Sequence, residues 1–228
     1  MFKFVVSAVL TLLTACAVVV TPMAVSDHAA LRQAAEQART TSDFTLIRQA
    51  TKMVYLESGG NGSCVMIAPQ KCLTAGHVAV IHNDVNKLYV DEQPIVRVIK
   101  MEFDGVKTDL ALLEVKSGCP CVPLGELPKV DADVALVGFP FGQAGLQVQV
   151  LTFGKLQGVS SVLSRAITTS PVAPGNSGGG LFAFTDGKWH LIGVLVEGAG
   201  GGYGGGATHL SLSIPYKTIA EFLKGPLD

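Results

Sequence analysis

The amino-acid sequence predicts an all-β protein, and three features carry that prediction. From Met53 onward, short runs rich in Val, Ile, Leu and Phe recur along the chain. Clusters of Gly, Pro, Asn and Asp separate them, which is the turn chemistry of a sandwich or barrel. Helical periodicity is confined to residues 27–49 and 216–223.

In chain order, the first pattern is helical. Apolar residues recur as Ala29, Ala30 and Leu31, then Ala34 and Ala35, then Ala38, then Phe44, Leu46 and Ile47. Thr40, Thr41, Ser42 and Asp43 interrupt it and offer side-chain oxygens to cap a second short helix. Strands are expected at 54–56, 65–67, 72–74, 88–90, 95–101, 111–115, 135–138, 148–153, 166–169, 181–184, 191–196 and 210–214. A last helix is expected from Tyr216 to Leu223, directly after Pro215.

A chain of 228 residues suits one or two domains. Its net charge of −1 leaves no basic footprint for nucleic acid. It is 48% hydrophobic and only 15% charged, partly because residues 4–25 carry no charge at all. Lys3 precedes that run, whose length suits either a bilayer span or a secretion signal. Within it, Leu13-Thr14-Ala15-Cys16 resembles a bacterial lipobox, in which Cys16 would be the lipidated residue. The departure lies downstream, where Ala17-Val18-Val19-Val20 prolongs the apolar stretch. A lipoprotein, an uncleaved signal anchor and a cleaved soluble form therefore all stay open. Each delivers the rest of the chain outside the cytoplasm, with the N-terminus held inside by Lys3 in the anchored case. The organisation expected is a signal or anchor over 1–25, a helical spacer over 26–50, and a β domain over 51–228.

Three segments carry chemistry. In Pro174-Gly175-Asn176-Ser177-Gly178-Gly179-Gly180, glycines free the main chain for close approach to a substrate. They also let the amides of Gly175 and Ser177 point into one space, where a negative oxygen can be held. Leu73-Thr74-Ala75-Gly76-His77 ends an apolar strand with a histidine that follows two small residues, giving its ring room to turn. Thr108-Asp109 opens the apolar run 110–115, so the carboxylate is partly buried and needs a donor or a charge partner.

In the order His77, Asp109, Ser177, these segments resemble the chymotrypsin-like (trypsin-like) serine proteases. The spacings are most similar to HtrA-type proteases and to small trypsin-like peptidases of bacteria and phages, over residues 51–223. The resemblance implies two packed six-stranded antiparallel β-barrels with the site in the groove between them. It implies a triad of His77 as base, Asp109 as its orienting acid and Ser177 as nucleophile, with Gly175 and Ser177 as oxyanion donors. It implies hydrolysis of protein or peptide substrates through an acyl-enzyme, with no cofactor or metal. By the same resemblance Pro171, Val172 and Ala173, with Leu195, Val196, Glu197 and Gly198, line the primary substrate pocket. That lining carries no Asp at its base, and its apolar character favours small or medium aliphatic side chains. Glu197 stands at the rim, where it either is solvated or favours a basic group in a neighbouring subsite. Nothing remains for a PDZ module. Asn176 stands where digestive relatives place the acid that pairs with a freshly cut N-terminus, so activation by such a cut is not expected.

Competing readings exist. Gly175-Asn176-Ser177-Gly178-Gly179 also fits the nucleophile elbow of α/β-hydrolases, but that motif needs a helix after the serine and the histidine last in order. Gly200 to Gly205 fits a dinucleotide fingerprint, yet no helix pattern follows it. A catalytically silent peptide-binding scaffold on the same fold is the remaining alternative. Cys64, Cys72, Cys119 and Cys121 fit an oxidising compartment and allow three full pairings. A bridge between Cys119 and Cys121 closes a very short loop and is the least expected of them. The glycine run from Ala199 to Ala207 is expected as a loop beside the cleft, serving as lid, exosite or connector. Nothing in the sequence sets the oligomeric state.

Overall fold

The structure, a computed structural model, describes residues 44–57, 59–80, 87–104, 108–141, 147–198 and 208–224. The expectations for residues 1–25, for Cys16, for the spacer up to Asp43 and for the glycine run at 199–207 lie outside the described residues.

Two antiparallel β units form the described chain. The first holds β1 (Thr51–Leu56), β2 (Asn61–Ala68), β3 (Lys71–Thr74), β4 (Leu88–Val90), β5 (Gln93–Pro94), β6 (Arg97–Phe103) and β7 (Asp109–Glu114). Their order is β5-β4-β1-β2-β3-β7-β6. The second holds β8 (Asp133–Gly138), β9 (Val150–Ser160), β10 (Arg165–Thr168), β11 (Gly180–Thr185), β12 (Lys188–Gly198) and β13 (Ser211–Pro215). These six close into a barrel in the order β10-β13-β12-β11-β8-β9.

The first unit departs from the barrel expected of it. Its seven strands make a sheet, and among the described residues no ladder joins β5 to β6. The reason is local: β5 is two residues long and ends in Pro94, which has no N–H to donate. Strand β9 is longer than its apolar run because Lys155 and Gln157 turn outward while Leu156 is buried between them. Between β11 and β12, Asp186 and Gly187 both take positive φ (53° and 75°), the backbone of a two-residue I′ hairpin turn.

A shared core joins the two units. Val65, Leu73, Leu110 and Leu112 of the first unit belong to one buried cluster with Val137, Phe182, Val194 and Ile214 of the second. A second cluster, including Leu136, Leu156, Leu181 and Ile192, fills the closed barrel. Each fully buried Leu or Phe side chain contributes about 2–3 kcal/mol. A surface pair such as Arg97–Glu114, at 2.7 Å, adds at most about 1 kcal/mol. Burial of the apolar runs therefore fixes how the halves meet.

Among the described residues there are three short helices: α1 (Thr45–Ala50), α2 (Gly76–Val80) and α3 (Tyr216–Lys224). Helix α1 buries Ile47 and Ala50, and its flanking Phe44 packs on Phe153 and Trp189 of the second unit at ring-centroid distances of 5.4 and 5.5 Å. Gln149 then donates to the carbonyls of Arg48 and Thr51. The end of the expected spacer thus packs as part of the fold. Of the three possible cysteine pairings, the structure has Cys64–Cys72 together with Cys119–Cys121, the bridge least expected from sequence.

Candidate active site

His77 sits in the first turn of α2, just after β3, rather than at the strand tip itself. Asp109 opens β7, the strand paired with β3, so sheet register brings the two together. One carboxylate oxygen of Asp109 accepts the His77 main-chain N–H at 2.8 Å, and the other lies 2.7 Å from His77 Nδ1. With Nδ1 protonated, the ring donates to Asp109 and leaves Nε2 as the basic nitrogen. Asp109 is only 6% exposed, and both of its oxygens are engaged. Gly76 makes this approach possible. A Cβ there would stand 3.0 Å from Asp109 Oδ1 and from the Leu110 nitrogen.

Ser177 lies on the loop between Val172 and β11, in the second unit. Four successive peptide groups of this loop have their carbonyls held. Pro174 O accepts from Phe141 N at 2.8 Å, Gly175 O from Ser63 Oγ at 3.0 Å, Asn176 O from Gly179 N at 2.8 Å, and Ser177 O from Ser63 N at 2.7 Å. The N–H groups alternate. Asn176 N donates to Ala173 O and Gly178 N to Leu195 O, whereas those of Gly175 and Ser177 donate to no acceptor among the described residues. A peptide group is planar, so fixing a carbonyl fixes the opposed N–H. The Gly175 and Ser177 amides are thereby aimed and unspent, as an anion site requires.

Gly178 takes φ +83°, and a Cβ there would collide with the Ser63 carbonyl and the Thr74 hydroxyl. The loop can lie this close to β2 and β3 only because that position is glycine. The Ser177 hydroxyl donates to the Val196 carbonyl at 3.2 Å, not to His77.

The expected pocket residues divide. Val172 is buried and pairs with Thr208 through two main-chain hydrogen bonds of 2.9 and 2.8 Å. Gly198 packs where any Cβ would press on Thr208 and Val172. Pro171 and Glu197 are exposed, and Ala173 is half-buried. Leu195 is buried in the second-barrel cluster and meets the nucleophile loop through its main chain. Val196 is buried in the shared core and offers the carbonyl that takes the Ser177 hydroxyl.

A family model described as the trypsin-like peptidase domain matches residues 62–194, more than half of the chain. The chain belongs to that family. A curated relative is Protease Do-like 2, chloroplastic, of Arabidopsis thaliana. It is 33% identical over 169 residues, which cover 69% of this chain. The chain spans about a quarter (26%) of that relative's length. Among solved structures, the serine endoprotease of Yersinia pestis superposes with a TM-score of 0.63 at 20% identity, covering 79% of this chain and 64% of that one. An inactive form of Rv3671c from M. tuberculosis H37Rv gives a TM-score of 0.61 at 18% identity, covering 81% and 92% respectively. The HtrA-type protease AlgW with decapeptide gives 0.60 at 19%, covering 78% and 64%. These likenesses show the fold.

Some residues around this trypsin-like site were not foreseen from sequence. Thr208, Asn61 and Ser63 sit in polar stretches that read as turns. Arg165 is a further case: it is only 5% exposed, at the start of β10. Burial pushes its guanidinium below the ordinary arginine range, and the charges of Asp109, Glu197 and Asp104 oppose that drop.

Proposed function

We propose that this chain is a serine endopeptidase working through His77, Asp109 and Ser177. The observation that carries the reading is the alternation in the nucleophile loop: the amides of Gly175 and Ser177 are unspent, and β2, which holds this loop, pairs with the strand that leads to a histidine whose Nδ1 is tied to a buried carboxylate. The serine hydroxyl turns from the Val196 carbonyl toward His77 Nε2 when substrate enters, a rotamer change on the picosecond-to-nanosecond scale. His77 takes the proton as Ser177 Oγ attacks the scissile carbonyl, and the Gly175 and Ser177 amides hold the oxyanion. His77 then passes the proton to the departing amine, and water repeats the cycle on the acyl-enzyme.

The substrates are proteins or peptides, with a small or medium apolar side chain ahead of the cut bond. The uncharged packing of Val172, Gly198 and Thr208 on one another supports that preference, where the wall of the pocket is expected. AlgW, a structural relative, was solved with a decapeptide. A fluorophosphonate probe should label the protein at one residue, Ser177, and heat denaturation beforehand should abolish labelling. A folded protein that takes no label would leave the silent-scaffold reading standing instead.

We also propose that residues 1–25 place this domain outside the cytoplasm and at a membrane. The charge-free run at 4–25 behind Lys3 supports this. Cys16→Ser should abolish fatty-acid labelling and membrane retention if the chain is a lipoprotein, and change neither if it is a signal anchor. Recovery of the intact wild-type chain in a soluble cytoplasmic fraction would contradict both.

A further inference from the structure

Ser63 stands on β2 in the first unit, yet its polar atoms reach into the second. Its N–H donates to Ser177 O at 2.7 Å and its hydroxyl to Gly175 O at 3.0 Å. The same hydroxyl accepts the Phe139 N–H at 2.9 Å, and the Ser63 carbonyl accepts the Thr74 hydroxyl at 2.6 Å. Every polar atom of this residue is thus engaged, and the residue is 0% exposed.

We propose that Ser63 is a positioning residue: from the first unit it holds the Gly175 and Ser177 carbonyls, pinning the 175–176 and 177–178 peptide groups on either side of the one that carries the Ser177 amide, and so steadies the amides that receive the substrate's negative oxygen. The assignment rests on the peptidase reading above and deepens it. Of the four carbonyl anchors in the nucleophile loop, Ser63 supplies two directly. It also bears on a third. Ser63 Oγ holds the amide of Phe139, which begins the short turn whose Phe141 N–H anchors Pro174 O. That last bond orients the Pro174–Gly175 peptide, and with it the Gly175 amide. Asn61 steadies the same turn from its other side, donating to Phe139 O at 2.8 Å. On the first unit, Thr74 connects Ser63 to the segment that ends in His77, three residues on. Base and anion site are thereby referred to one buried side chain. A serine suits the task because a single hydroxyl can donate and accept at once.

Alanine at this position keeps the main-chain bond to Ser177 but leaves Gly175 O without its donor and Phe139 N without its acceptor. The test uses the full-length chain purified in detergent. The substrate is a tetrapeptide p-nitroanilide with valine at the scissile position, and the inhibitor is a trifluoromethyl ketone of the same sequence. Ser63→Ala should lower kcat about 100-fold, the effect of losing one oxyanion donor, with KM held within about twofold. Affinity for the ketone, whose adduct puts an oxyanion in the site, should fall by a similar factor. Ser63→Thr retains the hydroxyl and should restore most of kcat. An unchanged kcat and ketone affinity in folded Ser63→Ala, or a loss confined to KM, would overturn the assignment.

Two measurements guard the result. Amide exchange over residues 173–179 should quicken in Ser63→Ala whether or not the wild type turns over substrate. Equal exchange overturns the clamp, while quickened exchange in a protein whose wild type is inactive keeps the clamp and refutes the peptidase reading. Should Ser63→Ala not fold, Asn61→Ala at its half-buried site loosens the Phe139 turn instead. It should cost kcat about tenfold, the worth of one good hydrogen bond. An unchanged kcat there would overturn the assignment as well.

Discussion

Ser177→Ala is expected to lower kcat for a peptide substrate about 10⁶-fold, a loss of about 8 kcal/mol of transition-state stabilisation. His77→Ala should cost about as much, and the double variant hardly more, because nucleophile and base act as one unit. The fold should survive. The Ser177 hydroxyl makes one bond, 3.2 Å long, to Val196 O, and its removal changes stability by about 1 kcal/mol or less. The main-chain amide of residue 177 stays, so the anion site is intact and residual rate above the uncatalysed reaction should remain, about 10³-fold or more. Single-turnover kinetics and a thermal melt on the same preparations check both halves of this result. Peptide turnover unaltered by Ser177→Ala would refute the assignment of the nucleophile.

Much of this was legible in the sequence, for identifiable reasons. The strands around His77 and Asp109 are buried on most positions, so residues 64–67 of β2, 72–73 of β3 and 110–113 of β7 read as apolar runs. The glycines around Ser177 were expected to let a substrate approach the main chain; what the structure shows at Gly178 is a φ of +83° and a neighbouring backbone of the protein itself that leaves no room for Cβ. Other features were illegible. The seven-stranded first sheet differs from a closed barrel through Pro94, and one proline at a strand end says little about which edge stays unpaired. Ser63 and Asn61 lie in a Gly/Asn/Ser stretch that resembles any turn, and their partners are 76 to 112 residues away. Such contacts are set by how the two units dock, which no local pattern records. Arg165 opens a short strand like any solvated arginine would, and only the docked fold shows it buried. The cysteine pairing was open for the same reason, since three connectivities share one sequence.

Asp109→Asn should leave the protein folded and lower kcat about 10⁴-fold. The geometry explains why an isosteric change does so much. Both carboxylate oxygens accept from the same residue, one from the His77 main-chain N–H and the other from the ring at Nδ1. Asparagine offers one oxygen and one NH₂, so a single orientation cannot serve both donors. If its oxygen keeps the main-chain bond, its NH₂ faces Nδ1 and forces that nitrogen to accept. The ring proton then moves to Nε2, the nitrogen that must be free to take the proton of Ser177. If the amide flips, its NH₂ meets the His77 main-chain N–H, and the buried donor pair costs about 1–3 kcal/mol while α2 loses its hold on the sheet. Either way the histidine is a poor base. Asp104→Asn is the control: Asp104 is exposed, its carboxylate accepts the Thr108 N–H in a local turn, and its charge acts on Arg165. It should keep kcat within about threefold, as surface changes away from a site do. Full activity in Asp109→Asn alongside a large loss in Asp104→Asn would mean that the acid of the site is Asp104, and that the two-point hold on His77 serves the fold alone.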